Sequence, residues 1–182
     1  MKLEKNAFTL IELMVVITIM FILSMMMYAP YQHYQTKQKV RNSAKIVTQT
    51  LYESRNLAIN GSLTGTWNAS IWVLFASGAE DIWIFQYPFW ENTWTYSDKT
   101  DKNGSYFYEN KKLEPGVKIT WKDYLIIYEA ISGSWRYLEN KIDFTPDAHK
   151  RLELNIWFKG TTSWNLTKKI FYYIYTYVAD IQ

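Results

Sequence analysis

Phe8-Thr9-Leu10-Ile11-Glu12-Leu13-Met14-Val15-Val16-Ile17 opens the run that decides how this chain of 182 residues is organised. Ahead of it lie seven short, polar residues that include Lys2, Glu4, Lys5 and Asn6. Behind it, residues 13–36 contain no Asp, Glu, Lys or Arg, and residues 13–29 are the densest apolar part. A helix needs about 20 apolar residues to cross a bilayer, with a lower limit near 17, and residues 8–11 bring the run to that length. Lipid offers the backbone no hydrogen-bond partner, so the run is expected as a helix. A cleaved secretory signal would carry an apolar stretch of only about 7–15 residues and then a small-residue cleavage site. Here the stretch is longer, and Tyr28-Ala29-Pro30 is a poor site because Pro follows directly.

Glu12 is the anomaly. A carboxylate inside an apolar helix is costly unless it is paired or stays near the interface. No Lys or Arg follows until Lys37, too far along a helix to reach it. Either Glu12 stays wet at headgroup level, or its positive partner comes from another chain, which points to an oligomer.

The order of residues 7–17 resembles the cleavage and methylation motif of type IV pilins and type II secretion pseudopilins. The resemblance implies that a membrane-bound prepilin peptidase cuts between Ala7 and Phe8 and methylates the new amine of Phe8. That family usually has Gly where this chain has Ala7. The resemblance also implies an assembly role for Glu12, as partner of the free N-terminal ammonium of a neighbouring subunit. Two opposite charges in a low-dielectric bundle each remove the other's penalty. Implied partners are other pilins or pseudopilins, the prepilin peptidase, an inner-membrane assembly platform and the lipid bilayer. The implied location is the bacterial cytoplasmic membrane, crossed once with the head outside the cytoplasm, and then an extracytoplasmic filament. Lys37, Lys39, Arg41 and Lys45 just beyond the span outnumber Lys2 and Lys5. By charge alone the C-terminal part would be placed inside the cell; the leader motif specifies the opposite.

Pro30 falls where the apolar run ends and is expected to kink the axis. After it Val40, Ala44, Val47, Leu51 and Ala58 recur at helical spacing, one face of an amphipathic helix. Gly61 is a stop signal. A helix over residues 8–60 would measure about 80 Å at 1.5 Å per residue; the alternative is two helices broken at Pro30.

Strand-like runs rich in Trp, Tyr and Ile follow at 69–75, 81–87, 93–96, 105–108, 117–121, 124–129, 135–138, 141–144, 152–158 and 169–178. Asn103-Gly104, Pro115-Gly116, Ser132-Gly133 and Gly160 punctuate them. One helix and then many strands is an α+β pattern, with an antiparallel sheet or sandwich as head. The expected organisation is a leader at 1–7, a transmembrane and polymerisation helix at 8–36, an amphipathic half at 37–61 and a β-rich head at 62–182. Residues 53–59, the Ile142-Asp143-Phe144-Thr145-Pro146-Asp147 turn and a last hairpin with its strand at 169–178 resemble the H-type, FimT-like minor pseudopilins.

Composition narrows the function. The net charge is only +3, with 20 basic and 17 acidic residues interspersed, whereas a nucleic-acid binder shows a basic stripe. Nucleic acid is not a favoured partner, and the chain ends at residues 177–182 without Arg or Lys. Cysteine is absent, which excludes disulfides and Cys metal sites. His33 and His149 are the only histidines and lie far apart. Asp98, Asp101 and Asn103, near Gly104 and Glu109, are weak calcium candidates; Lys99 and Asn110 fall where an EF-hand loop needs its first and twelfth ligands, so that motif fails. No metal site and no cofactor is expected. No nucleophile elbow, zinc-protease helix or phosphate loop is present, so the chain reads as non-enzymatic. It reads as a structural subunit, a minor pilin or pseudopilin. The alternative is a filament-displayed adhesin using its Trp-rich loops, best sought at residues 88–94.

Overall fold

The computed structural model describes residues 9–60, 69–88, 106–119, 122–139, 142–144, 151–159, 167–173 and 179–181. The chain divides into two compact units, Met1–Lys37 and Gln38–Gln182. One helix, α1 (Leu10–Asn60, 51 residues), runs through the boundary. It holds no glycine, and Pro30 sits inside it. Proline gives no N–H, so one carbonyl a turn earlier loses its donor, yet the helix continues past it and the alternative of two separate helices is excluded. The hydroxyls of Thr18, Ser24 and Thr36 donate to the carbonyls of Met14, Met20 and Gln32, and so do not compete with the ladder.

In the first unit the described side chains from Leu10 to Tyr34 are all exposed. The second unit begins with the amphipathic part of α1. Its expected stripe is confirmed: Val40, Ala44, Val47, Leu51 and Ala58 are buried. Three small polar residues join them on that face, Ser43, Thr50 and Ser54. Thr50 satisfies its hydroxyl locally on the Ile46 carbonyl. The Ser43 hydroxyl instead accepts from the Glu114 backbone N–H at 3.1 Å, fastening the helix to a turn 71 positions away.

Among the described residues this unit holds ten antiparallel strands: β1 (Ala69–Phe75), β2 (Asp81–Pro88), β3 (Phe107–Lys112), β4 (Val117–Ile119), β5 (Tyr124–Tyr128), β6 (Trp135–Glu139), β7 (Ile142–Phe144), β8 (Arg151–Phe158), β9 (Thr167–Tyr173) and β10 (Ala179–Ile181). They form a six-stranded sheet, β3-β2-β1-β5-β6-β7, and a four-stranded sheet, β10-β9-β8-β4. Side chains alternate along each strand. Ile71, Val73 and Phe75 of β1, Ile82 and Ile84 of β2, and Ile126 and Tyr128 of β5 share one core with the helix stripe. Val117, Ile119, Leu152, Leu154, Ile156 and Ile170 bring the second sheet into the same core. The intervening residues Trp72, Leu74, Trp83, Phe85, Tyr87, Leu125 and Ile127 form another buried cluster on the opposite side of the large sheet. β1, β2 and β5 are thus apolar on both faces, which is why their sequences read as continuous rather than alternating runs.

Two turns close the architecture. In the first, Pro115 and Gly116 sit between Glu114 and Val117, whose N–H donates to the Glu114 carbonyl at 3.0 Å. Gly116 has φ +83°, as the third position of a type II turn requires, and a Cβ there would lie 3.1 Å from the Phe158 ring. β4 beyond it joins the sheets: Ile119 bridges Ala79 in the β1–β2 turn while β4 pairs with β8. In the second, the β5–β6 hairpin turns at residues 130–133 against the end of α1. The Ile131 N–H donates to the Ala58 carbonyl at 3.0 Å, satisfying one of the acceptors a helix end leaves open. Ile131 takes φ +68°, and a Cβ on Gly133 would come within 2.5 Å of Ile59 Cγ1.

The α+β expectation is met, and the strand bounds differ by more than one residue in three places. The expected 105–108 strand is β3, shifted to Phe107–Lys112; it is an edge strand, so its Glu109, Asn110, Lys111 and Lys112 need no apolar partners. The expected 117–121 strand is described over Val117–Ile119, and residues 120 and 121 lie outside the described residues. The expected closing strand 169–178 is described as β9 over Thr167–Tyr173, paired antiparallel with β10 at Ala179–Ile181; residues 174–178 lie outside the described residues. The expected 93–96 strand, Gly61, Asn103-Gly104, Gly160 and Pro146 lie outside the described residues.

Candidate functional site

The start of α1 is the place where sequence and structure concentrate unusual chemistry. The Thr9 carbonyl accepts the first helical bond, from the Leu13 N–H at 3.3 Å, and Thr9 itself lies just before the helix. Its N–H donates to Glu12 Oε2 at 3.0 Å, and its hydroxyl donates to the same oxygen at 2.9 Å. In return the Glu12 N–H approaches Thr9 Oγ1 at 3.3 Å. This is a capping box: the cap residue and the third helical residue satisfy each other's donors. Sequence reading treated Glu12 as a charge in search of a partner and passed over Thr9. The signal was present, because Thr-x-x-Glu before an apolar run is a helix-start signature.

The box gives the carboxylate two hydrogen-bond donors from its own chain, although it supplies no opposite charge. Its position also matters, since an acidic group in the first turn complements the positive end of the helix dipole. Ile11, Glu12, Val15 and Val16 line a shallow open depression at this end of the helix. The carboxylate is exposed on an otherwise greasy surface.

From there the helix presents apolar side chains all round. Leu10, Ile11, Leu13–Ile17 by position, then Ile19, Met20, Phe21, Ile22, Leu23, Met25, Met26, Met27 and Tyr28 are at least half exposed, or within a percent of it. The segment is long and apolar enough to cross a membrane, and none of its most hydrophobic stretch is covered by the rest of the chain. A soluble core helix would hide such a surface; exposed apolar area of this extent marks a lipid- or protein-contacting element.

Of the other residues singled out by sequence, Pro30 lies within the helix. Ala7 and Phe8, the expected cleavage and methylation positions, lie outside the described residues, as do Asp98, Asp101 and Asn103. Among the described residues no group of three or more His, Asp or Glu is placed to hold a metal ion. Residues 89–94, with Trp90 and Trp94, are also outside them, as are Trp67 and Trp164, whereas Trp72, Trp83 and Trp157 are buried.

No curated protein and no solved structure matches the chain. One family model does, and it falls on this helix start: residues 4–28 match the prokaryotic N-terminal methylation motif. With Glu12 in the first turn and an uncovered apolar helix behind it, the chain carries the N-terminal motif characteristic of type IV pilins and pseudopilins.

Proposed function

We propose that this chain is a non-catalytic structural subunit, a minor pilin or pseudopilin, of a type IV pilus or a type II secretion-like filament. The observation that carries the reading is the bare apolar stretch of α1 up to Tyr34, whose only acidic residue, Glu12, lies in the helix's first turn within the methylation motif. Prepilin peptidase removes residues 1–7 and methylates Phe8. Before assembly the segment 8–36 spans the cytoplasmic membrane once, with the β-rich head outside the cytoplasm. During assembly the same apolar surface exchanges lipid for the helices of other subunits. Glu12 then receives the ammonium of a neighbour's Phe8, adding the opposite charge to the two donors that Thr9 already supplies. Neither contact excludes the other, since a carboxylate has about four acceptor sites.

The test has two parts. Mass spectrometry of the mature chain is expected to show a new N-terminus at Phe8 bearing one methyl group; an intact Met1 terminus overturns the reading. Glu12→Gln keeps the box's acceptor oxygen and removes the charge. Loss of co-assembly with partner pilins in that variant, with membrane insertion retained, supports the charge pairing; unimpaired assembly refutes it.

A further inference from the structure

The helix carries a second patterned surface that polymerisation leaves unexplained. Tyr28, Tyr31 and Tyr34 follow one another at steps of three in the first unit and are 66%, 58% and 64% exposed. Lys37, the next position in that row and the last residue of the unit, is exposed too. Residues three apart on a helix are surface neighbours, so the four form a continuous ridge. The second unit continues the chemistry along the chain, with Arg41 and Lys45 both exposed and one turn apart.

Among the described residues no ion pair is formed by Lys37, Arg41 or Lys45. No carboxylate occurs between Glu12 and Glu53. The ion pairs formed by Glu53, Glu109 and Glu153 go to Lys111 and Lys169. Lys39 stands apart from the group, half-buried with its ammonium 5.9 Å from the centre of the Phe158 ring. Arg41 and Lys45, like charges four apart, weaken a helix rather than support it. A solvated helix face gains nothing from such an arrangement.

A bilayer boundary does. Tyrosine rings collect at the headgroup level, with the phenol wet and the ring in the acyl region. Cations just beyond meet the phosphates, and each near an anionic surface contributes about fivefold in binding. The order in this chain is apolar run, tyrosines, cations. We propose that Tyr28, Tyr31, Tyr34, Lys37, Arg41 and Lys45 form an anchor for anionic phospholipid headgroups at the leaflet where the helix leaves the membrane. This rests on the membrane-spanning reading above and adds a lipid class to it. The anchor holds the unassembled subunit at a fixed depth, and its charge must be released or re-paired when the subunit leaves the bilayer.

The absence of cysteine allows a clean probe. The full chain carrying Gln38→Cys with a nitroxide label is reconstituted as single copies in nanodiscs of phosphatidylcholine, with phosphatidylglycerol added in steps. Label motion is expected to slow as phosphatidylglycerol rises, and to recover in high salt. Single replacements Lys37→Gln, Arg41→Gln or Lys45→Gln should each shift the slowing to higher phosphatidylglycerol content, and the triple replacement should erase the response. Equal motion in both lipids, or a response that survives the triple replacement, overturns the anchor. Slowing only in discs holding several copies, independent of lipid charge, assigns the ridge to another protein chain and also overturns it. A chain that fails to remain with the discs at all refutes the membrane-spanning reading, which is a separate result.

Discussion

The two parts of α1 obey the same helical geometry and answer to different surroundings. Up to Tyr34 the helix is apolar on every side and its described side chains are exposed. From Val40 it is apolar on one stripe only, and that stripe is buried to the last atom at Ala44, Val47 and Leu51. An all-round apolar helix is made for lipid or for a bundle of its own kind, and a striped helix is made for one side of a core. The difference teaches where each kind of substitution will be felt. Changes in the first part should register in insertion and assembly, and changes in the second in the stability of the unit that contains the sheets.

The largest contrast should come from leucine truncation in the two parts. Leu51→Ala leaves a hole in a core shared by both sheets and should lower unfolding stability by about 2–5 kcal/mol. Leu23→Ala, on the uncovered part, should leave the denaturation midpoint of the sheet-bearing unit unchanged in detergent. Equal losses would break the comparison.

Next is Gly133→Ala, which adds a Cβ 2.5 Å from Ile59 Cγ1 and holds φ at +60°. It should cost about 1–3 kcal/mol by overpacking. The amide of Ile131, bonded to the helix end, should exchange faster in the same variant. A neutral outcome would mean that the hairpin does not cap the helix.

Ser43→Ala removes the acceptor for the Glu114 N–H and should cost about 1 kcal/mol, read as a lower thermal midpoint. Ser43 thereby sharpens the comparison, because the hydroxyls of Thr18, Ser24 and Thr36 bond only within their own helix, and replacing those by Ala should not move the midpoint.

The smallest effect is expected at Lys111. It pairs with Glu109 at 2.8 Å and reaches Glu53 of the helix at 3.5 Å. The hydrogen bond to Glu109 is the first cause that holds its ammonium above the usual lysine range, with the Glu53 charge adding to it. A raised lysine contributes stability that is fully present below the unfolded value and is lost as pH climbs through the folded one. Melting curves should therefore be flat in this respect through neutral pH and show a loss of about 0.5 kcal/mol above roughly pH 10, absent in Lys111→Gln.

Much of this molecule could be read from its residues because the relevant signals were periodic. The stripe from Val40 to Ala58 follows helical spacing over five turns, and the Trp-, Tyr- and Ile-rich runs at β1, β2 and β5 stand out from the loops around them. The pairing of sheets was less legible, since strands buried on both faces lose the alternation that tells inside from outside. β3 escaped its true bounds because an edge strand tolerates Glu-Asn-Lys-Lys, and β10 because three residues carry no period. At the helix start the motif around Glu12 was plain, yet Thr9 was passed over. A helix start leaves backbone donors unpaired, a need that Thr9 and Glu12 meet for each other independently of any charge partner.

The double burial of β1, β2 and β5 sets a limit on how this protein can diversify. Ile71 to Phe75 and Ile82 to Phe85 touch packed neighbours on either side, so a lineage cannot vary them to suit a new contact without unfolding the unit. Evolutionary freedom is left to the exposed positions of the small sheet, to the charged rim strand and to the connections. Drift among related subunits should therefore leave a nearly invariant apolar spine through the middle of the large sheet, with novelty accumulating at its margins.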